Sequence, residues 1–187
     1  MNENDQIKLS LTFEASFCNH WPELEITAND HVIWKGFVEG TQQLILKFVG
    51  LDNNHIVLKY LNKQNGPDLW DTAIDDSGNI LQDQHCILKQ ILINDANCEW
   101  LISEMPYHYN DGTCKNNFGY MDLKGYMEFN FPMNVYRWIL DHRQSIKPSN
   151  SRNSSLDYKN IYIPQNENAQ LTTVINEIKK LLKRSND

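Results

Sequence analysis

The chain has 187 residues, 41% hydrophobic and 11% aromatic, enough for one well-buried domain with appendages and short for two full ones. Its net charge of −7 is unevenly spread: residues 137–187 hold nine Lys/Arg against five Asp/Glu, so an acidic body carries a mildly basic tail. A body without clustered Lys/Arg offers no face for nucleic acid, and no stretch approaches the roughly eighteen apolar residues of a spanning helix, so neither nucleic acid nor a membrane is an expected partner.

The opening MNENDQIK lacks a basic region followed by an apolar core, so no secretory signal is expected. Cys18, Cys86, Cys98 and Cys114 are scattered without metal-ligand spacing and are expected to be reduced thiols. Ile7, Leu9, Leu11 and Phe13 alternate with Lys8, Ser10 and Thr12, which predicts a half-buried strand. Leu24, Ile26 and Ala28 alternate up to the turn pair Asn29-Asp30, and Val32-Ile33-Trp34 follows, which predicts a hairpin. Leu44, Leu46 and Phe48 make the next strand, Asp52-Asn53-Asn54 a turn, and Ile56 to Tyr60 another strand.

The stretch Asp71 to Asn94 holds a charged turn (Asp75, Asp76, Ser77, Gly78, Asn79), then Asp83, then an apolar run. Within that run Cys86 and Leu88 share one face and Ile91 and Ile93 share one face, with the phase slipping between the pairs. Burial of both pairs on one side requires a bulge at Lys89-Gln90; otherwise the strand is buried on two sides. Further on, Tyr120 to Leu123 and Tyr126 to Phe131 read as a hairpin around Lys124-Gly125, ended by Pro132. Val135 to Leu140 reads as a last strand or one helical turn.

The expected fold is mainly β: an antiparallel β-sandwich over 1–143, with 101–143 an added hairpin segment. A Ser/Asn-rich linker follows over 144–168. No helix of convincing length is expected before residue 165. Ala169 to Arg184 is then an amphipathic helix whose Leu171, Val174, Ile178 and Leu181 must be buried, on this domain or preferably on another chain.

Three chemistries suggest themselves. Oxygen ligands for calcium cluster in Asn62, Asp68, Asp71, Asp75, Asp76, Asn79 and Asp83, although Asp75, Ser77 and Asn79 lack the later acidic residue of an EF-hand and read better as a solvated turn. Trp21, Trp34, Trp70, Trp100, Tyr107 and Tyr109 could stack on sugar rings, with Trp70 in a loop beside Asp68 and Asp71; most of the others read as core. Glu23, Glu25, Glu99, Glu104 and Glu128 could supply a carboxylate pair for glycoside hydrolysis, and Cys114 with His108 or His20 a thiol dyad. No catalytic motif accompanies either, and no enzyme is expected.

The run DQHCILKQILIND (83–95) resembles the last strand of the calcium-dependent xylan-binding modules appended to bacterial xylanases. Asn62-Lys63 stands where those modules have an Asn-Asp strand end, and Asp83 where their calcium-binding Asp opens the final run. A longer series is similar to uncharacterised, notably marine, tailed-phage proteins built on that module. It runs Asn62-Lys63, Asp71-Thr72, Asp75 to Ile80, Phe118-Gly119-Tyr120, Gly125 to Phe129, Pro132 and Trp138-Ile139-Leu140.

The resemblance implies a carbohydrate-binding-module-like jelly roll. It also implies a non-enzymatic structural or accessory virion protein of head, neck or tail, made in the host cytoplasm and held in a multi-copy assembly with other virion proteins. The alternative it implies is a module binding a cell-surface glycan through Trp70, Asp71 and Asp83, with calcium on Asp71, Asp83 and Asn62. Lys63 replaces an Asp of the modules; its ammonium would repel the metal or substitute for its charge. No other cofactor is expected.

Overall fold

The computed structural model describes residues 6–63 and 71–145. The helix expected over 169–184, with Leu171, Val174, Ile178 and Leu181, and most of the linker expected over 144–168 lie outside the described residues.

The chain runs through β1 (Gln6–Ser16), β2 (Glu23–Ala28), β3 (His31–Phe37), β4 (Thr41–Val49), β5 (Asn53–Tyr60), β6 (Thr72–Ile74), β7 (Ile80–Asp83), β8 (His85–Ile93) and β9 (Ala96–Asn97). It continues with α1 (Trp100–Glu104), β10 (Tyr107–Tyr109), β11 (Cys114–Lys115), β12 (Tyr120–Met121), β13 (Gly125–Pro132) and α2 (Val135–Ser145). One sheet has the order β12-β8-β1-β4 with β9 beside β8, and the other β11-β10-β13-β5-β2-β3; β6 and β7 form a small pair of their own. Every pairing is antiparallel, and the expected sandwich is what forms.

Alternation explains the layers. Ile7, Leu9, Leu11 and Phe13 of β1 point inward from one sheet and meet Leu24 and Ile26 of β2, Ile56 and Leu58 of β5, and Met127, Phe129 and Phe131 of β13 from the other, in one core. Each fully buried large side chain contributes about 1.5–3 kcal/mol. The β2–β3 hairpin closes on Asn29 (φ 51) and Asp30 (φ 66), a two-residue turn with both centres left-handed, which Asn and Asp tolerate and which suits the strand twist.

The phase slip in β8 is resolved by a bulge. Thr12 of β1 faces Gln90 and Phe13 faces Leu88, so Lys89 is the extra residue, and Cys86, Leu88, Ile91 and Ile93 are all buried on one side. Lys89 itself reaches out to Glu14 at 3.2 Å, an exposed pair worth little.

Three expectations are corrected. The Tyr120–Phe131 stretch is not a hairpin: β12 pairs with β8 in one sheet and β13 pairs with β5 and β10 in the other. The reason lies in two glycines that the packing demands. Gly119 (φ +83) is pressed against β8, where an added Cβ would come within 2.5 Å of the Leu88 carbonyl, and at Gly125 one would come within 2.3 Å of the His108 carbonyl. Gly125 is therefore a pairing position in a sheet, not the tip of a turn. Residues 101–143 accordingly complete both sheets rather than decorate a finished sandwich.

Among the described residues two helices also precede residue 165. α1 is a single turn, and α2 extends the helical alternative for Val135 to Leu140 to eleven residues. Asn134 caps α2 by accepting the Arg137 N–H (3.2 Å) on its side chain. Val135 and Ile139 bury one face, and Trp138 packs 5.0 Å from Trp100.

Deleting Lys89 removes the bulge and leaves Cys86, Leu88, Ile91 and Ile93 in unbroken period-two alternation, all still on the core side. The deletion variant is expected to keep a cooperative urea transition, followed by tryptophan fluorescence, and Lys89→Ala to stay within about 1 kcal/mol of the parent, whereas loss of the transition on deletion would contradict Lys89 as the extra residue.

Candidate functional site

At one end of the sandwich the chain leaves β5 and, after residues 64–70, re-enters through β6 and β7. Asn62 fastens the exit: its side-chain oxygen accepts the Glu23 N–H (2.8 Å) and its amide donates to the Trp21 carbonyl (2.8 Å). Lys63 then turns inward and is almost fully buried, at 5% exposure. Its ammonium donates to Asp83 Oδ1 (2.6 Å) and to the Gln84 carbonyl (2.6 Å). The Thr72 hydroxyl donates to the same Asp83 oxygen (2.5 Å).

A second shell of polar contacts closes around Gln84, which is wholly buried. Its backbone N–H donates to the Asp71 carbonyl (2.8 Å), its side-chain oxygen accepts the Tyr60 hydroxyl (2.7 Å), and its side-chain amide donates to the His20 carbonyl (2.7 Å). Burial, reinforced by nearby Cys86, Asp71 and Asp83, pushes the Tyr60 hydroxyl far above its ordinary range, so it remains a donor at all working pH. Asp71 is buried with His20 Nε2 3.0 Å from its Oδ1. Thr72 and Asp83 are register partners with side chains in contact, so alternation sends Asp71 to the opposite face of that strand pair from Asp83.

This arrangement does not fit the calcium ion that the resemblance implies. Calcium needs six to eight oxygens around one point. Here Asp83 Oδ1 already receives Lys63 and Thr72, Asp71 faces His20 on the other side, and Asn62 is committed to Glu23 and Trp21. Among the described residues no group of three or more His, Cys, Asp or Glu is placed to hold a metal. Trp70, the aromatic expected to meet a glycan beside Asp71 and Asp83, lies outside the described residues, and both carboxylates are turned into the network above.

The other candidates resolve into structural contacts. Asp75 Oδ1 accepts the N–H groups of Ser77 (2.9 Å) and Asn79 (2.8 Å), so the ladder suggestive of calcium is a turn closing on its own carboxylate; the Asn79 side chain and backbone hold the Asp75 carboxyl below its usual range. Glu23 meets Lys35 (3.7 Å), Glu25 meets Lys59 (3.6 Å) and Glu128 meets His55 (3.1 Å), while Glu99 accepts from Gln90 and Glu104 lies 3.5 Å from His142.

Ser16 and His85 do come together, at 2.8 Å. The Ser16 hydroxyl, however, gives its proton to the Asp83 carbonyl and accepts the His85 backbone N–H, which leaves His85 Nδ1 as a donor rather than a base. Cys114 faces His108 across β10 and β11, but the His108 ring stacks on Tyr126 (4.8 Å, 12°). The four cysteines are free, and burial pushes the Cys98 thiol up to about 11. Of the aromatics, Tyr107 is core, Trp34 packs against the core, Trp100 is stacked on His142 (3.6 Å, 16°) and Trp21 meets Phe17 edge-on (5.2 Å).

Two features escaped the sequence reading. One is the convergence of Ser16, Lys63 and Thr72 on Asp83, and of Tyr60 and His20 on the neighbouring Gln84, which joins residues up to 67 positions apart. The other is the β6–β7 hairpin, which carries Ile80 (67% exposed) and Leu81 (69% exposed) together with exposed Ile74. Phe17, also exposed, is tied to this hairpin by the Gln82 side-chain amide, which donates to its carbonyl.

Among solved structures, the chain is similar to a module described as vCBM60 in complex with galactobiose, with 12% identity and a TM-score of 0.43 over 66% of this chain and 99% of that one. It is also similar to a selenomethionine form of vCBM60, described under a circular permutation linking two families of calcium-dependent carbohydrate-binding modules, with 10% identity and a TM-score of 0.40 over 66% and 89%. Likeness at this level assigns no ligand to this chain. No family model and no curated protein sequence matches it.

Tyr60→Phe removes the donor to a fully buried Gln84 and is expected to cost about 1–3 kcal/mol in urea unfolding. Tyr126→Phe, on the open sheet face, is expected to stay within about 0.5 kcal/mol.

Proposed function

We propose that this protein is a non-enzymatic assembly module that fastens to another protein through the β6–β7 hairpin. The observation that carries the reading is the exposure of Ile80 and Leu81, with Ile74 and Phe17 alongside, on a hairpin outside both main sheets. A pair of three- and four-residue strands is marginal by itself, and large aliphatic side chains clustered on it have a reason to be there when a partner covers them. The motif order set out above supports placing that partner in a tailed-phage particle. On that reading the protein is made in the host cytoplasm and ends in the virion in several copies.

The test is mass spectrometry of gradient-purified particles of a phage encoding this chain, compared with particles carrying Ile80→Asp and Leu81→Asp together. The native protein is expected in the particles. The double variant is expected to keep its Tm within about 3 °C, since both sites are exposed, and to be lost from them. Absence of the native protein from particles contradicts the virion assignment; retention of the folded double variant contradicts the hairpin as the attachment.

A glycan-binding reading is favoured by a different surface. On the outer face of the six-stranded sheet, Tyr126 and His108 stack together, with Lys59 in register beside Tyr126 and the Glu128–His55 pair further along the same strands. An aromatic platform flanked by polar groups suits a sugar ring. This reading predicts glycan-array binding that Tyr126→Ala reduces at least roughly tenfold and that calcium removal leaves unchanged; an array without binding, with and without calcium, contradicts it.

A further inference from the structure

We infer that Lys63 is a built-in cation: its ammonium holds the end of the sandwich together in the way a bound divalent ion would, and the chain therefore takes up no calcium there. The inference is independent of the proposed function, which concerns the hairpin surface.

The ammonium lies at a junction of the two sheets. Lys63 follows β5 of the six-stranded sheet, and Asp83 and Gln84 lead into β8 of the five-stranded one. Its contacts are those expected of a cation's ligands: a carboxylate oxygen and a main-chain carbonyl, each at 2.6 Å. A hydroxyl converges on the same carboxylate oxygen. Through these contacts one positive charge ties the β5 exit, the β6 start and the β7–β8 junction into a unit.

Lysine is seldom buried to this extent unless paired, and an ammonium with three donors can answer an anion and a carbonyl together. Asp83, itself part-buried, pairs with it, so the local pair carries no net charge, and the buried carboxylate of Asp71 faces His20 instead. A divalent ion arriving at Asp83 would meet a fixed positive charge at contact distance in a poorly solvated place, where like charges repel strongly.

The arrangement makes a specific claim about charge. If the site requires a cation and Lys63 supplies it, removing the lysine charge creates a need that an external ion can meet. Lys63→Glu sets a second carboxylate, from a buried position, against the part-buried Asp83, and two such groups in contact resist ionising together without a cation between them. Melting curves of the full chain are recorded in EDTA, in millimolar calcium chloride, and in sodium chloride at matched ionic strength. The wild-type Tm is expected to be the same in all three, and calorimetric titration with calcium is expected to show no binding. Lys63→Glu is expected to melt roughly 10 °C lower in EDTA, to recover at least half of that loss in calcium, and to recover none in sodium. Lys63→Arg, which keeps the charge, is expected to remain indifferent to calcium.

Calcium binding to the wild type, or a calcium-raised wild-type Tm, overturns the inference. So does a Lys63→Glu variant as stable as the wild type, or one that calcium helps no more than sodium does. Should Lys63→Glu fail to fold in EDTA, a cooperative melt after refolding in calcium supports the inference, and its absence in calcium contradicts it.

Discussion

An ammonium taken out of water is tolerated only where its charge is answered by an anion and its protons by acceptors, and the end of this sandwich is arranged around meeting that demand at Lys63. The carboxylate of Asp83 and the carbonyl of Gln84 receive it directly. Thr72 shares the carboxylate, Ser16 holds the Asp83 carbonyl, and Tyr60 and His20 hold the Gln84 side chain. Loss of Lys63 or Asp83 leaves the other charge without its counter-charge, whereas loss of a neutral partner leaves one buried polar group unanswered.

The rest of the fold supplies the frame that makes this geometry possible. The Lys89 bulge lets β8 keep four apolar residues on the core side while its first residues stay in register with the end of β1, which brings Ser16 to His85. Gly119 and Gly125 let the chain cross from β8 to β5 so that residues 101–143 finish both sheets. With the two sheets fixed, the β6–β7 hairpin is held at its base by Asp71, Thr72 and Asp83, while its outer residues, Ile74, Ile80 and Leu81, remain at the surface.

Much of the sandwich was legible in the sequence because its strands alternate cleanly and its turns use residues that accept left-handed geometry, as at Asn29-Asp30. The bulge was legible as a phase slip, a purely local signal. What stayed hidden depends on distant neighbours. Nothing near Tyr120 says that it pairs with Ile87 while Gly125 pairs with Tyr60. Val135 to Leu140, read alone, is too short to separate strand from helix; Asn134 as a cap was the available clue. Lys63 was singled out by its place in a motif, but its burial and its contacts to Asp83 and Gln84 depend on residues about twenty positions away. Sequence could not show that Asp71 and Asp83 point to opposite faces, because that follows from the register of β6 with β7.

The site and the surface therefore separate: a cross-linked polar interior joins the strands at the end of the sandwich, and the proposed contacts with partners fall to the apolar hairpin and the Tyr126 sheet face. The central claim is that an ammonium, not a metal, closes that interior. A high-resolution crystal structure from crystals grown in calcium tests it most directly. The account predicts the Lys63 ammonium within hydrogen-bond distance of Asp83 and the Gln84 carbonyl, with no ion beside them; a calcium ion on Asp83 with Lys63 turned away to solvent would contradict it.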